Sequence, residues 1–167
     1  MSMGYREENM KKVLFLENAK LLRKKFGIVP LLYGSVGLWY ITGESFRTED
    51  IDILIPAALL HEKWDEFKNE LEKEGYILTD AHEHTFLKNG VYYSYAPIEE
   101  LESFAGIKME EIAQKCEEDV RFKLLSLSQY LKVYQASRKD GYRMCVRQKK
   151  DDEKIACIQK YLDNRNL

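Results

Sequence analysis

The stretch that decides the fold of this chain reads Asp50-Ile51-Asp52-Ile53-Leu54-Ile55. Side chains alternate between the two faces of a β-strand, so the two aspartates share one face and the three isoleucines share the other. Two carboxylates held side by side repel each other unless a positive charge lies between them. A divalent cation that prefers oxygen ligands, such as Mg²⁺, meets this requirement. The pair is therefore a candidate metal site, although acidic pairs at strand starts often just face water.

A second feature, Leu31-Leu32-Tyr33-Gly34-Ser35, lies upstream of the acidic stretch. It predicts a strand that runs through a glycine and a serine into a short apolar helix over 36–41. The start of a helix exposes free backbone N–H groups, glycine permits the close approach of a phosphate, and serine adds a hydroxyl donor. The same joint is also common for structural reasons alone, because glycine allows the turn and serine caps the helix.

The order of the two motifs along the chain resembles that of the nucleotidyltransferase superfamily. This superfamily includes DNA polymerase beta, the aminoglycoside- and lincosamide-modifying enzymes, and minimal bacterial nucleotidyltransferases. The resemblance covers mainly residues 31–56. It implies an α+β (mixed α/β) fold, in which a mixed sheet carries helices packed on one face and is followed by C-terminal helices.

The resemblance also implies a chemistry for these residues. Asp50 and Asp52 are the expected catalytic acids and Mg²⁺ ligands, in a site that allows two metal ions, and Gly34 and Ser35 are expected to hold the triphosphate of an NTP. An acceptor hydroxyl attacks the α-phosphate in this chemistry, and pyrophosphate leaves. The acceptor is open: small molecules, proteins and tRNA are all modified by enzymes with this core.

A third carboxylate, which the superfamily carries on a later strand, has no counterpart in this sequence. The expected strand is Val91-Tyr92-Tyr93-Ser94-Tyr95-Ala96, which contains no acid. Ser94 occupies the position where the resemblance places the carboxylate. This departure puts catalysis in doubt but not the fold.

The hairpin before this strand offers a substitute acid. The dipeptide Asn89-Gly90 predicts a type I′ turn, whose register pairs Thr85 with Ser94 and Glu83 with Ala96. Glu83 then becomes a diagonal neighbour of Ser94 and is a candidate catalytic residue. Asp80 is a second candidate, and the alternative is that both acids face solvent and the third acid is lost.

Three cations are candidates for binding the nucleotide. Arg47 lies in the loop before the acidic stretch, and Lys139 and Arg143 lie in a basic segment over 137–150. Phosphate recognition needs such side chains. The basic segment equally fits a solvated loop between helices, since the dipole of a helix favours cations at its C-terminus.

The composition fits a globular chain in the cytoplasm. Of the 167 residues 45% are apolar, which is enough for a normal core, and the net charge of −2 argues mildly against a large RNA partner. No apolar run approaches the roughly 20 residues that a membrane span needs. The three cysteines lack metal-type spacing and indicate free thiols in a reducing compartment.

Two parts are predicted along the chain, without a flexible linker between them. Residues 1–100 form the nucleotidyltransferase-like core, with helices over 5–26 and 57–74. Residues 101–167 are predicted to be helical and to pack on the core, with a capping box at Ser126-Leu127-Ser128-Gln129 and three acids, 151–153, in the first turn of the last helix. The apolar stripe of the first helix is expected at Met10, Val13, Leu14, Leu21 and Leu22.

Two functional hypotheses follow from these features. The first is a Mg²⁺-dependent transferase that moves a nucleoside monophosphate from NTP to an acceptor hydroxyl. The second is a catalytically impaired module of the same fold that acts through a protein partner, which the missing third acid favours. An unrelated α+β domain with a surface acidic pair is a further alternative.

Overall fold

The structure, a computed structural model, describes residues 3–46, 50–139 and 145–165. Its helices in these ranges are α1 (Met3–Phe26), α2 (Gly34–Thr42), α3 (Trp64–Lys73), α4 (Glu100–Ala105), α5 (Leu127–Lys139) and α6 (Cys145–Arg165). Its strands are β1 (Leu31–Tyr33), β2 (Asp50–Ile55), β3 (Ile77–Asp80), β4 (Thr85–Lys88), β5 (Val91–Pro97), β6 (Ala113–Glu117) and β7 (Val120–Leu124). Two short 3-10 turns, Ala57–Leu59 and Met109–Glu111, complete the described elements.

The described strands form one seven-stranded sheet in the order β3-β4-β5-β2-β1-β7-β6. The acidic strand β2 lies at its centre, antiparallel to β1 and parallel to β5. Strand β7 runs parallel to β1 on the far side. The predicted mixed sheet and α+β class are confirmed.

Helices cover the sheet through two separate cores. On one face α1 and α3 pack against the isoleucines of β2, and Ile51, Ile53 and Ile55 are fully buried there. On the other face α4, α5 and α6 pack against Leu31 and Leu54. The C-terminal helices thus cover part of the face that carries Asp50 and Asp52. None of the helices, within the described residues, is long and apolar enough to cross a membrane.

The prediction that the chain is helical throughout residues 101–167 was wrong over 113–124. Strands β6 and β7 form an antiparallel hairpin there, and β7 joins the sheet beside β1. The missed signal is the alternation of buried Phe122 and Leu124 with the polar Arg121 and Lys123, which is typical of a strand. The sheet therefore extends beyond residue 100, and a domain boundary near that residue stays a prediction.

The end of β6 is attached to the first two helices. Glu117 accepts a hydrogen bond from Tyr40 of α2 at 2.9 Å, and Lys12 of α1 lies 2.8 Å from its other carboxylate oxygen. The bond to Lys12 is the main reason why the pKa of Glu117 is lowered. Burial and the bond to Glu117 raise the pKa of Tyr40 to about 12, so this hydroxyl keeps its proton at neutral pH.

Several local predictions are confirmed and others need correction. The capping box forms: Ser126 Oγ accepts from the Gln129 N–H at 3.2 Å, and Gln129 Oε1 accepts from the Ser126 N–H at 2.9 Å. Met10 and Val13, expected in the core, are 58% and 46% exposed. The buried face of α1 consists of Phe15, Leu16, Ala19 and the predicted Leu22, and the predicted Leu14 and Leu21 are partly buried against the same core.

Two helix boundaries also differ from expectation. The predicted helix over 57–74 begins with the turn Ala57–Leu59, and α3 starts only at Trp64. Asp151 is not in the first turn of the last helix, because α6 already begins at Cys145. Asp151 is buried and accepts a hydrogen bond from Ser137 of α5 at 2.8 Å, so it joins the two C-terminal helices.

Gly37 of α2 lies directly beneath Tyr130 of α5. A Cβ atom at this position would contact the Tyr130 hydroxyl and would lie 2.6 Å from the carbonyl oxygen of Leu32. The Tyr130 hydroxyl itself donates to that carbonyl at 3.4 Å. Because Gly37 has no side chain, Tyr130 of α5 can pass over α2 and contact the backbone of β1.

We expect Gly37→Ala to destabilise the fold by about 1–3 kcal/mol, because the added methyl group has no space. The same substitution inside an ordinary helix stabilises by about 1 kcal/mol, so the expected sign is reversed. Urea unfolding of the variant beside the unmodified chain measures the difference. Increased stability would contradict the described packing of Tyr130.

Candidate functional site

The acid pair lies on the face of the sheet that the C-terminal helices partly cover. Asp50 begins β2, Asp52 follows two residues later, and both are half-buried. The three isoleucines of the same strand point into the opposite core. The alternation predicted from the sequence is therefore present, and the two carboxylates lie side by side as expected.

Gly34 brings the second motif directly against this pair. Strand β1 places Tyr33 opposite Asp52, and α2 begins at the next residue. Gly34 has a φ of +63°, and a Cβ atom there would contact Asp52 Oδ2 and lie 3.2 Å from the Asp52 Cβ atom. Only glycine combines this backbone conformation with this separation. The start of α2, with its unpaired N–H groups, thus abuts the acidic strand.

Ser35 occupies the first turn of α2 and is only 7% exposed. Its side chain is therefore largely enclosed by the protein. The backbone at the start of α2 is the better candidate for contacting a ligand, since a helix start favours anions through its N–H groups. The structure places Gly34 at the start of α2 against Asp52, with Ser35 next in the chain, and the roles expected of these residues and of the acids stay predictions.

Ser94 lies where a third acid was expected. Asn89 and Gly90 have φ values of 52° and 76°, as a type I′ turn requires. The hairpin pairs Thr85 with Ser94, and β5 pairs Ser94 with Asp52. The register of the hairpin was predicted from the sequence, and its pairing of Thr85 with Ser94 is confirmed. The Ser94 hydroxyl donates to Asp50 Oδ2 at 3.1 Å, so a neutral group contacts the acid pair from β5.

The register predicted for Glu83 was wrong. Asp80 Oδ1 accepts hydrogen bonds from the backbone N–H groups of His82 and Glu83, and this turn ends the hairpin before Glu83. The pairing of β4 with β5 ends at Thr85 and Ser94, and Ala96 has its partner on the other side of β5, at Leu54 of β2. The Glu83 side chain is 71% exposed and lies 4.0 Å from His82 Nε2. The structure therefore does not bring Glu83 to the acid pair.

Among the described residues no group of three or more histidine, cysteine, aspartate or glutamate side chains could hold a metal ion. Asp50 and Asp52 therefore offer two acidic ligands, and the described residues place no third side chain of these types with them. Zinc sites normally use three or four protein ligands, so the pair does not suit zinc. Mg²⁺ is commonly bound by one or two carboxylates together with phosphate oxygens and water, and the pair fits that pattern.

Of the three predicted nucleotide-binding cations, one lies in the described part of the chain. Lys139 is the last residue of α5 and is exposed. Arg47 and Arg143 lie outside the described residues. The neighbouring Arg138 forms an ion pair with Asp152 at 3.0 Å, which joins α5 to α6. The role of these cations stays a prediction.

A stack of three tyrosines beside the acids was not found from the sequence. The rings of Tyr33 and Tyr130 are 6.4 Å apart and inclined by 19°, and those of Tyr130 and Tyr134 are 5.9 Å apart and inclined by 12°. Lys154 of α6 lies over the Tyr134 ring at 4.9 Å. The spacing of Tyr130 and Tyr134, four residues apart in a helix, is the signal that places them on one face.

Burial raises the pKa of both Tyr130 and Tyr134 well above the ordinary value, and the negative charge of Asp52 raises it further. Both hydroxyls therefore stay protonated at neutral pH. The stack connects α5 and α6 to β1 next to Gly34. The acid pair therefore has an aromatic neighbour in which the hydroxyls of Tyr130 and Tyr134 do not act as bases.

The chain is related to a bacterial protein over nearly its whole length. It is 39% identical over 150 residues to the uncharacterized protein YnaI of Bacillus subtilis (strain 168), a match that covers 90% of this chain and 96% of YnaI. The chain belongs to the YnaI family. No family model matches it.

Two solved structures share the fold. The crystal structure of an antigenic nucleotidyltransferase-like protein from Paracoccidioides brasiliensis superposes with a TM-score of 0.59 and 17% identity, covering 88% of this chain and 74% of that one. The solution structure of the antibiotic-resistance factor ANT(2″)-Ia superposes with a TM-score of 0.50 and 12% identity, covering 94% of both chains. The chain has a nucleotidyltransferase-like fold, and the resemblance predicted from the sequence is confirmed.

We expect Gly34→Ala to be more destabilising than Gly27→Ala, although both glycines have similar positive φ values of 63° and 66°. Each substitution costs about 1–2 kcal/mol for the left-handed backbone. Gly34→Ala adds the contact with Asp52, which we expect to cost about 1–3 kcal/mol more. A Cβ atom at Gly27 meets nothing within 4 Å, which makes it the matched control.

Urea unfolding of both variants measures this difference. Equal losses of stability would show that Asp52 does not press against Gly34, and the assembled site would then be wrong.

Proposed function

We propose that this chain is a Mg²⁺-dependent nucleotidyltransferase, which moves a nucleoside monophosphate from NTP to an acceptor hydroxyl. The observation that carries the proposal is the close approach of Gly34 to Asp52. A triphosphate must contact a phosphate-binding backbone and metal-binding acids at the same time, so the two features are useful only when adjacent. The nucleotidyltransferase-like fold supports the same reading.

Asp50 and Asp52 are the proposed Mg²⁺ ligands. Both side chains are half-buried and share one face of β2, so they offer hard oxygen ligands from one side. Bound Mg²⁺ would offset the charge of the phosphates and polarise the phosphoryl group under attack. The two carboxylates carry the charge that attracts the ion, and the buried isoleucines behind them hold the strand in place.

The start of α2 is the proposed phosphate-binding element. Its first N–H groups are unpaired within the helix and are the proposed donors to phosphate oxygens, while the missing side chain of Gly34 lets this helix start lie directly beside Asp52. Ser35 takes part mainly through its backbone, because its side chain is buried. Lys139, with Arg47 and Arg143, is the proposed source of positive charge around the nucleotide.

The reaction is an in-line displacement at the α-phosphorus. The acceptor hydroxyl oxygen forms a bond to the α-phosphorus and its proton passes to solvent, while the bond between the α-phosphorus and the oxygen shared with the β-phosphate breaks and pyrophosphate leaves. The chain contributes by holding the phosphates against α2 and the acid pair, so positioning provides most of the rate. The acceptor is a small molecule, a protein or a tRNA, and the bacterial cytoplasm, where NTP and Mg²⁺ are abundant, is the proposed compartment.

A second candidate is a module that binds NTP without turning it over and acts through a protein partner. The observation that favours it is the hydroxyl of Ser94, which contacts Asp50 where the resemblance places a carboxylate. A hydroxyl cannot supply the negative charge or the basicity of that acid at neutral pH. Detection of transfer, as opposed to binding, separates the two candidates.

We expect Asp52→Asn to remove nucleotidyl transfer while the chain stays folded, because an amide keeps the shape of the side chain but carries no charge. Incubation with α-labelled NTP, Mg²⁺ and candidate acceptors measures transfer, and thermal unfolding reports folding. Asp163→Asn, an exposed acid on α6, is the matched control. Unchanged transfer by the Asp52→Asn variant would exclude the assigned site.

We expect NTP to raise the unfolding temperature only when Mg²⁺ is present. A ligand at 100 times its dissociation constant stabilises the folded state by about 2.7 kcal/mol. A chelator should abolish the shift. If NTP stabilises the chain equally with and without Mg²⁺, the metal part of the proposal fails, and if it never stabilises the chain, both nucleotide-binding candidates fail.

A further inference from the structure

The acid pair continues into a chain of two hydroxyl groups on the neighbouring strands. Ser94 Oγ of β5 lies 3.1 Å from Asp50 Oδ2, and Thr85 Oγ1 of β4 lies 3.1 Å from Ser94 Oγ. The three residues share one face of the sheet, because Thr85 is paired with Ser94 and Ser94 with Asp52. All of them are half-buried, where water competes less for these bonds than at a fully exposed surface.

The direction of both hydrogen bonds follows from chemistry. An ionised carboxylate only accepts, so Ser94 gives its one hydroxyl proton to Asp50. Ser94 can then only accept from Thr85, which directs the Thr85 proton to Ser94. The alternative acceptor for Thr85, the carbonyl oxygen of Glu83, is farther away at 3.4 Å. Both hydroxyl dipoles therefore point toward Asp50, and a bond to an ionised acceptor is stronger than a neutral one.

We propose that Ser94 and Thr85 are positioning residues that hold the Asp50 carboxylate in the orientation in which it binds a divalent cation. The inference rests on the proposed function and deepens it. A carboxylate that is already oriented loses less side-chain freedom when the cation binds. The position that resembles a third metal ligand thus serves the metal indirectly in this chain, through a hydrogen bond to one of the remaining acids.

Mn²⁺ binding to the full chain without nucleotide, followed by electron paramagnetic resonance, tests this inference. We expect Ser94→Ala to weaken Mn²⁺ affinity about tenfold, which is the usual effect of losing a bond to a metal ligand. Ser94→Thr keeps the hydroxyl and should restore the affinity. Thr85→Val leaves the hydrogen bond from Ser94 to Asp50 in place but removes the hydroxyl that donates to Ser94. The expected loss of Mn²⁺ affinity is therefore smaller, about two- to threefold.

Thr79→Val is the matched control on the neighbouring strand β3. The Thr79 hydroxyl donates to the backbone carbonyl of Thr85 at 3.1 Å and makes no bond to the hydroxyl chain. Its removal should leave Mn²⁺ affinity unchanged. Thermal unfolding of every variant shows whether an altered affinity reflects unfolding.

The reaction provides a second measurement. Ser94→Ala should raise the Mg²⁺ concentration needed for half-maximal transfer more than it lowers the rate at saturating Mg²⁺. A hydroxyl with only a structural role would change stability and leave the Mg²⁺ dependence as it is.

Three outcomes would overturn the inference. A folded Ser94→Ala variant that binds Mn²⁺ as tightly as the unmodified chain overturns it alone, and so does a Ser94→Thr variant that fails to restore affinity. If the unmodified chain binds no Mn²⁺, the metal site of the proposed function is overturned together with it.

Discussion

The close approach of Gly34 to Asp52 is the constraint on which the rest of the site depends. Strands β1 and β2 pair so that Tyr33 lies opposite Asp52, and the backbone must then turn into α2 beside a carboxylate. A side chain at residue 34 would contact that carboxylate, and the positive φ would strain it as well. The absence of one Cβ atom therefore allows a helix start and an acid pair to lie side by side where β1 ends and β2 begins.

The two cores hold this arrangement from opposite sides. Behind the acids, three fully buried isoleucines pack against α1 and α3, and burial of such side chains contributes about 1.5–3 kcal/mol each. In front, Tyr130 reaches across Gly37 to the carbonyl oxygen of Leu32 and stacks between Tyr33 and Tyr134. The start of α2 thus packs between β1 and α5. This packing fixes the direction of its first N–H groups before any ligand binds.

The polar side chains of the site then define the possible chemistry. Two carboxylates on β2 suit one or two oxygen-preferring cations, and the start of α2 suits an anion, so together they suit a metal–phosphate ligand. Ser94 departs from the pattern of the superfamily, because a neutral hydroxyl lies beside Asp50 where the resemblance places a negatively charged carboxylate. The proposed binding of a nucleotide needs only this arrangement, whereas the proposed turnover also depends on how well two acids work without a third.

Much of the fold and of the site could be predicted from local patterns. Alternation in β2, the turn signal Asn89-Gly90 and the capping box around Ser126 each depend on residues a few positions apart, and all three formed as predicted. The strands over 113–124 were missed because a short alternating segment looks helical or extended until a neighbouring strand is known. Strand β7 joins the sheet by pairing with β1, which lies about 90 residues earlier in the chain.

The sequence by itself determined the elements near the site and the identity of the two acids, since periodicity and turn chemistry are local properties. Only the tertiary structure decided that Glu83 is exposed, because the turn around Asp80 ends the hairpin at Thr85, two residues short of the predicted pairing of Glu83. It also decided that Tyr130 fills the space above Gly37 and that Ser94 bonds to Asp50. These are contacts between distant segments, and their existence depends on strand order and register, which no local pattern in the chain contains.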